Sequence, residues 1–278
     1  MKNLYFNSSF KDDKVLEAMN YMPQDEDIII NTYPKSGTTL LQNIVFLLKN
    51  EGEYPINFKL YDHVPFIDFQ GVECLEKHTR PRLIKSHLPF DKMMFNKNAK
   101  YIFVCRNPFD CCTSYYHHTK MFTAAHNFYG NFDEYFAFFV EGKVNYGNYF
   151  DHLNGWFKEK NRPNILFLTY EEVIKDLRGT VKSVGEFSGG AILKNSKDDS
   201  IVGKVVEKCS VSSMRAMEGH GAFYPPVPVA EGSNFIRRGV KGDYSSIMSK
   251  KQVEKLNKIF QEKCGGSGAN DIWENEAF

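Results

Sequence analysis

The chain has no CxxC pair, although six cysteines (Cys74, Cys105, Cys111, Cys112, Cys209 and Cys264) are spread along its 278 residues. Neither a zinc ribbon nor a disulfide framework is therefore predicted, and Cys105 stands in an apolar run that reads as a buried strand. Reduced thiols in the cytoplasm are the economical expectation. HExxH is missing as well, and His63, His78, His117, His118, His126, His152 and His220 lack a ligand spacing, so no metal is expected. Charge of one sign is absent: 35 Lys and Arg against 34 Asp and Glu leave a formal net charge of +1. That balance argues against nucleic acid as a partner but leaves room for local basic clusters around a small anion. The sequence contains no run of about 18 apolar residues, and its first thirty lack a basic segment ahead of such a run, which predicts neither membrane span nor leader. From that charge balance a small-molecule partner is the expectation, and no internal repeat is visible.

Several β-rich apolar runs are each followed by a helical pattern. "DIIINTYP", "RLIKSH", "KYIFVCR" and "NILFLTY" read as strands; 38–49, 109–121, 142–159 and 171–187, the last in one or two pieces, read as helices. This rhythm predicts an α/β fold: a single domain over 1–278 with a mostly parallel central sheet flanked by helices. Two segments resist it, 54–78 and the Pro/Gly-rich 219–234, and both are candidate covers over a pocket. The tail 264–278 is expected to be loosely held except where Trp273 docks.

Three clusters suit an anion. Directly behind "DIII", the stretch "YPKSGTTL" places Lys35, Ser36, Gly37, Thr38 and Thr39 at a strand-to-helix turn, with a single glycine and the lysine ahead of it, unlike GxxxxGK[ST]. Unsatisfied N–H groups at a helix start and its dipole favour an anion there; an ordinary turn whose Ser and Thr cap the helix is the alternative. Arg106 leaves the strand "KYIFVC", with Ser114 eight residues on. At the carboxyl end of a strand an arginine faces the crevice where such sheets bind ligands, although a surface ion pair would use the same residue. In "FIRRGVKGDY", Arg237 and Arg238 precede Gly239, where a backbone without Cβ can approach a ligand; a solvated basic turn is the other reading.

Together these stretches resemble the cytosolic sulfotransferases. "YPKSGTTL" is similar to that family's loop for the 5′-phosphosulfate of 3′-phosphoadenosine 5′-phosphosulfate (PAPS), a P-loop-like phosphosulfate-binding loop. "CRNPFDCCTSYYH" resembles its 3′-phosphate element, "RRGVKGDY" its RKGxxGDW signature, and "RLIKSHLPF" its K-[ST]-H-L-P segment with the catalytic histidine. The resemblance runs from about Ile28 to Tyr244. It implies that Lys35, Ser36, Gly37, Thr38 and Thr39 hold the phosphosulfate, and that Arg106, Ser114, Arg237, Arg238 and Gly239 hold the 3′-phosphate. Tyr170 falls where the family places a tyrosine near adenine, and Cys209, Ser210 and Val211 fall on its adenine-facing segment. Leu40 and Val211 replace two aromatic residues of the family pattern, and Tyr244 replaces a tryptophan. The family's KxxxTVxxxE dimer motif would fall on Ser245–Glu254 and is degraded there, which leaves a homodimer open.

The implied chemistry is sulfuryl transfer from PAPS, with PAP as product and no metal. Such a reaction asks for alignment and charge stabilisation. His87 is the expected general base, Lys35 the clamp on the leaving oxygen, and Lys85, two residues before His87 along a strand, a support for the sulfonate or acceptor. By resemblance Ser114 restrains the Lys35 side chain until the acceptor arrives. An aromatic acceptor pocket is expected around Phe66, Phe69, Phe90, Tyr116, His117, Tyr146 and Tyr224, with Asp62 or Asp68 available to an amine. A P-loop kinase of small molecules or nucleotides, which would want a lysine after a second glycine and an Asp for magnesium, and a non-catalytic PAP/PAPS-binding homologue are the alternatives.

Overall fold

The computed structural model describes residues 4–224 and 227–274. Four strands, β1 (Ile28–Thr32), β2 (Leu83–Ser86), β3 (Lys100–Cys105) and β4 (Ile165–Thr169), form one sheet in the order β2-β1-β3-β4, every pair parallel. All four come from the predicted apolar runs. A parallel sheet must be covered on both faces, and alternate side chains divide accordingly. Ile28, Ile30, Leu83, Ile102 and Val104 share one cluster with α2 (Thr38–Lys49), α7 (Leu177–Ser188) and α8 (Asp199–Lys208), whereas Ile29, Ile84, Tyr101 and Phe103 belong to a second cluster. That second cluster includes residues of α1 (Asp12–Asn20), α3 (Pro108–Met121), α4 (Phe132–Glu141), α5 (Tyr149–Lys158) and α9 (Lys250–Cys264).

The register explains where a site can form. Asn31 pairs with Ser86, Thr32 with Val104, and Cys105 with Thr169, so all four strands end at one edge. The Lys35 turn, His87, Arg106 and Tyr170, which opens α6 (Tyr170–Lys175), therefore emerge side by side. This is the carboxyl edge of the sheet, where open α/β folds bind ligands.

Two expectations need correction. Residues 142–159 are not one helix: Gly142 (φ 70°) caps α4, and Tyr146 (φ 68°) and Gly147 (φ 72°) turn the chain before α5 begins at Tyr149. The segment 54–78 is not a plain loop but holds the short helices Leu60–His63, Ile67–Gln70 and Glu73–Lys77. The tail is partly docked: Cys264, Ala269 and Trp273 are buried and Trp273 Nε1 donates to Glu171 Oε2 at 2.9 Å, while 275–278 lie outside the described residues. All six cysteines are free thiols.

Candidate active site

The strand ends open into a cavity of about 930 Å³, lined at one end by the Lys35 turn and the arginines and at the other by aromatic side chains. Its floor is the turn after β1. Lys35 (φ 70°) and Gly37 (φ 106°) both take left-handed backbone, which reverses the chain tightly into α2. A Cβ on Gly37 would lie 2.7 Å from Tyr170 Cδ2, so the missing side chain also admits the tyrosine ring. The Gly37, Thr38, Thr39 and Leu40 amides find no acceptor among the described residues, as expected for the open start of a helix. Ser36 departs from its expected place. Its N–H donates to the Tyr33 carbonyl and its hydroxyl lies 3.8 Å from Cys111 Sγ, away from the cavity.

Arg106 leaves β3 with its guanidinium 4.5 Å from the centre of the Tyr170 ring, donates to the Val240 carbonyl at 3.0 Å, and keeps Nε buried without a partner among the described residues. Arg237 Nε is likewise buried with no partner among the described residues, although Asp243 pairs with both Arg237 and Arg238. Burial raises the Asp243 carboxyl, but the two guanidinium groups outweigh it and hold it below its ordinary range. The loop carrying these arginines is tied down by two acids outside the predicted site set. Glu218 accepts from the Phe235 and Ile236 amides, and Asp110 accepts from Gly242 and Tyr244 at 2.8 and 2.9 Å. Ser114, Gly239, Cys209, Val211 and Leu40 line the cavity; a Cβ on Gly239 would meet Val211 Cγ2 at 2.4 Å.

His87 follows β2 and is buried. Its Nδ1 lies 2.8 Å from the Thr32 carbonyl, an acceptor only, so Nδ1 carries the proton and Nε2 carries the lone pair. Its own N–H donates to Asp68 Oδ2 at 2.7 Å, and His152 Nε2 donates to its carbonyl at 3.0 Å. Burial, with Lys85 and Lys35 adding repulsion, holds the imidazole well below its ordinary value and therefore neutral. Lys85 lies on the same side, its ammonium 4.0 Å from the Phe66 ring centre and lowered to about 8 by burial. Lys35 is lowered to about 7 by burial and by Lys85, Arg106 and Arg237. Its ammonium lies 4.2 Å from the Phe235 ring centre, and no hydrogen bond joins it to Ser114. Asp68 is taken up by the His87 amide and does not line the cavity, whereas exposed Asp62 does.

The aromatic end holds Phe66, Phe69, Tyr146 and Tyr224 as expected, with Phe66 and Tyr146 5.1 and 5.3 Å from the His87 ring centre. Phe90, Tyr116 and His117 lie elsewhere. Phe90 packs on Trp156 at 5.2 Å, because the turn after Pro89 carries it to the other side of the sheet edge; Tyr116 packs on Phe132 at 5.3 Å with His117 beside it. On a helix with about 3.6 residues per turn, Tyr115, His118 and Phe122 instead share the cavity side. Phe10, far away in sequence, inserts against Phe66, Phe69 and Tyr146.

The Sulfotransferase domain family matches residues 25–268. The chain belongs to the sulfotransferase family. It is 31% identical over 267 residues to Sulfotransferase 1C2 of Rattus norvegicus, covering 91% of this chain and 88% of the relative. Against the 3-beta-hydroxysteroid sulfotransferase of Cavia porcellus it is 35% identical, covering 88% and 86%. The mouse sulfotransferase SULT7A1 complexed with PAP shares the fold at a TM-score of 0.79 and 24% identity, covering all of this chain and 98% of that one. Retinol dehydratase in complex with androsterone and PAP superposes at 0.76 with 21% identity over 87% and 82% of the two chains. The protein is accordingly a PAPS-dependent sulfotransferase of the cytosolic type. The donor set suits such a sulfotransferase: free helix-start amides, two buried Nε–H groups without partners and a depressed lysine all call for a polyanion. Among the described residues no helix is long and apolar enough to cross a membrane, and no group of three His, Cys, Asp or Glu could hold a metal.

Proposed function

We propose that the enzyme transfers a sulfuryl group to the hydroxyl or amine of a small aromatic acceptor, a phenol or a catecholamine-like amine, with His87 as general base. The observation that carries this reading is the His87 tautomer: the Thr32 carbonyl fixes the proton on Nδ1, and a neutral Nε2 remains to take the acceptor's proton. PAPS supplies the activated sulfuryl group. Lys35 and the amides from Gly37 to Leu40 bind its 5′ end; Arg106, Ser114, Arg237, Arg238 and the Gly239 backbone bind the 3′-phosphate. Tyr170, Leu40, Cys209 and Val211 flank the adenine. Lys35 meets the negative charge that develops on the leaving oxygen, and Lys85 supports the sulfonate. Phe66, Phe69 and Tyr146 form an apolar wall that excludes water and holds a flat ring beside His87. The six unpaired thiols suit a reducing compartment, and a cytoplasmic location belongs to this reading.

Thermal unfolding with PAP, ADP and ATP at equal concentrations tests the donor assignment, since a ligand of the folded state raises stability by RT ln(1 + [L]/Kd). PAP should raise the midpoint and ADP much less; a rise with ATP and magnesium alone would send the assignment to a kinase. His87→Ala tests the chemistry. Turnover should fall by about a hundredfold or more while the PAP shift persists. Turnover undiminished in that variant removes His87 from the role of base.

A further inference from the structure

Two histidines stand in a cavity end that is otherwise aromatic. His118 lies near the end of α3 and His126 in the short helix Thr123–His126, with ring centres 5.7 Å apart, and both line the cavity. Neither has a part in the chemistry assigned to His87 and Lys35. Their hydrogen bonding is asymmetric in an informative way. His126 Nδ1 lies 3.3 Å from the Asn7 amide nitrogen, which can only donate, so Nδ1 is the acceptor and the ring proton sits on Nε2. His118 Nδ1 is buried with no partner among the described residues. A buried N–H left unmade is costlier than a buried lone pair, so this ring also carries its proton on Nε2, the nitrogen open to the cavity. Burial keeps both rings uncharged, with Lys35 adding repulsion at His118 and His126 lowered to about 4.

We propose that His118 and His126 form a polar subsite whose two Nε2–H groups donate to an oxygen acceptor on the molecule being sulfated, a carbonyl or a carboxylate in addition to its reacting hydroxyl. This rests on the aromatic-acceptor reading and narrows it. Around the pair the walls are apolar: His118 packs on Phe122 at 4.8 Å and Phe235 at 5.7 Å, and Tyr115 lies 6.1 Å from it. A ligand without an oxygen there would leave two donors dry, whereas one with it satisfies them. That difference, rather than area, is how buried donors select among similar ligands. Lys35 and Lys85 make the local potential positive, which favours a carboxylate over a neutral carbonyl of the same shape.

The test compares 4-propylphenol, methyl 3-(4-hydroxyphenyl)propionate and 3-(4-hydroxyphenyl)propionate, in which two methylenes insulate the phenol from the second group. The wild type should favour the oxygen-bearing pair in kcat/KM by roughly five- to tenfold over propylphenol. His118→Phe and His126→Phe should each collapse that ratio, while His118→Gln, which keeps a donor, should retain part of it; the PAP-induced rise in melting temperature reports that each variant is folded. A carboxylate preferred to the ester assigns the charged group, and the reverse assigns the carbonyl. An unchanged ratio in both Phe variants, or no preference in the wild type, overturns the subsite. Calorimetric affinities of the same compounds for the protein–PAP complex separate the two levels. A binding preference without aryl turnover overturns the acceptor reading alone, and no preference in binding overturns the subsite.

Discussion

Lys35 is a buried lysine with three other cations, Lys85, Arg106 and Arg237, close enough to repel it. Burial first, and then repulsion from Lys85, Arg106 and Arg237, lowers its ammonium to about 7. An anion bound beside it adds an attraction that offsets the burial and the repulsion and raises the value, so PAP binding should take up protons, up to about one near pH 8, and fewer below pH 6, where Lys35 is already charged. Calorimetry in buffers of different ionisation enthalpy measures this, and Lys35→Met should remove most of it. The stability sign follows from the same shift. A folded value below the ordinary 10.5 means that the unfolded chain binds the extra proton between about 7 and 10.5, so the free protein gains stability as pH rises through that window. Lys35→Met should therefore melt higher than the wild type at pH 7 without ligand and gain less from PAP. His87 is also depressed, so its cost falls only below its ordinary value, and the acidic limb of kcat/KM should lie below about pH 6.5.

At the scale of elements, the site depends on turns that the helices and strands leave between them. The β1–α2 turn is held from outside by the Tyr170 ring and from inside by a Thr32 to Thr38 hydroxyl contact of 2.6 Å. Gly37→Ala should cost about 1–3 kcal/mol, from its positive φ and the clash with Tyr170, and should weaken PAP binding more than it lowers the melting temperature. Paired thermal shifts with and without PAP separate the two effects. The strands and α2 were legible because unbroken apolar runs and a helix-period pattern leave few alternatives. The turn at Tyr146 was not, because "GKVNYGNYFDHL" carries enough apolar spacing to look helical, and packing of Tyr146 against His87 and Phe10 accompanies the left-handed turn there. The face of α3 was misjudged for a related reason. Choosing Tyr116 and His117 over Tyr115 and His118 needs the helix rotation, which is set by the burial of Cys111, Cys112 and Tyr115.

Across the whole molecule, the C-terminal segment is tied to the anion site through one carboxylate. Glu171 accepts from Trp273 Nε1 and, through its other oxygen, from the Asn107 amide and side chain at the start of α3. Trp273→Ala should cost about 3 kcal/mol or more, since a nearly fully buried indole is lost and a buried acceptor is left short of a partner. Denaturant unfolding measures this, and a PAP affinity that falls with it would reveal strain passed to Asn107 and Arg106. A cost under about 1 kcal/mol would mean that the tail only rests on the surface.

The order of chemistry along the chain belongs to the sequence alone: a strand, a turn holding Lys35 and Gly37, a histidine after the second strand, an arginine after the third, and a late arginine pair. Local stereochemistry determines these, because apolar runs, glycine and helix starts act over a few residues. Tertiary structure decided what gathers around them. Phe10 and Asn7 reach the cavity from the N-terminal segment, Glu218 clamps the arginine loop, Asp68 is occupied by the His87 amide, and Phe90 turns away. These contacts join residues far apart in sequence through shared burial, which no local pattern encodes. The acceptor end of the cavity is composed almost wholly of such contacts, so its histidine pair became visible only when the strands, helices and loops had packed.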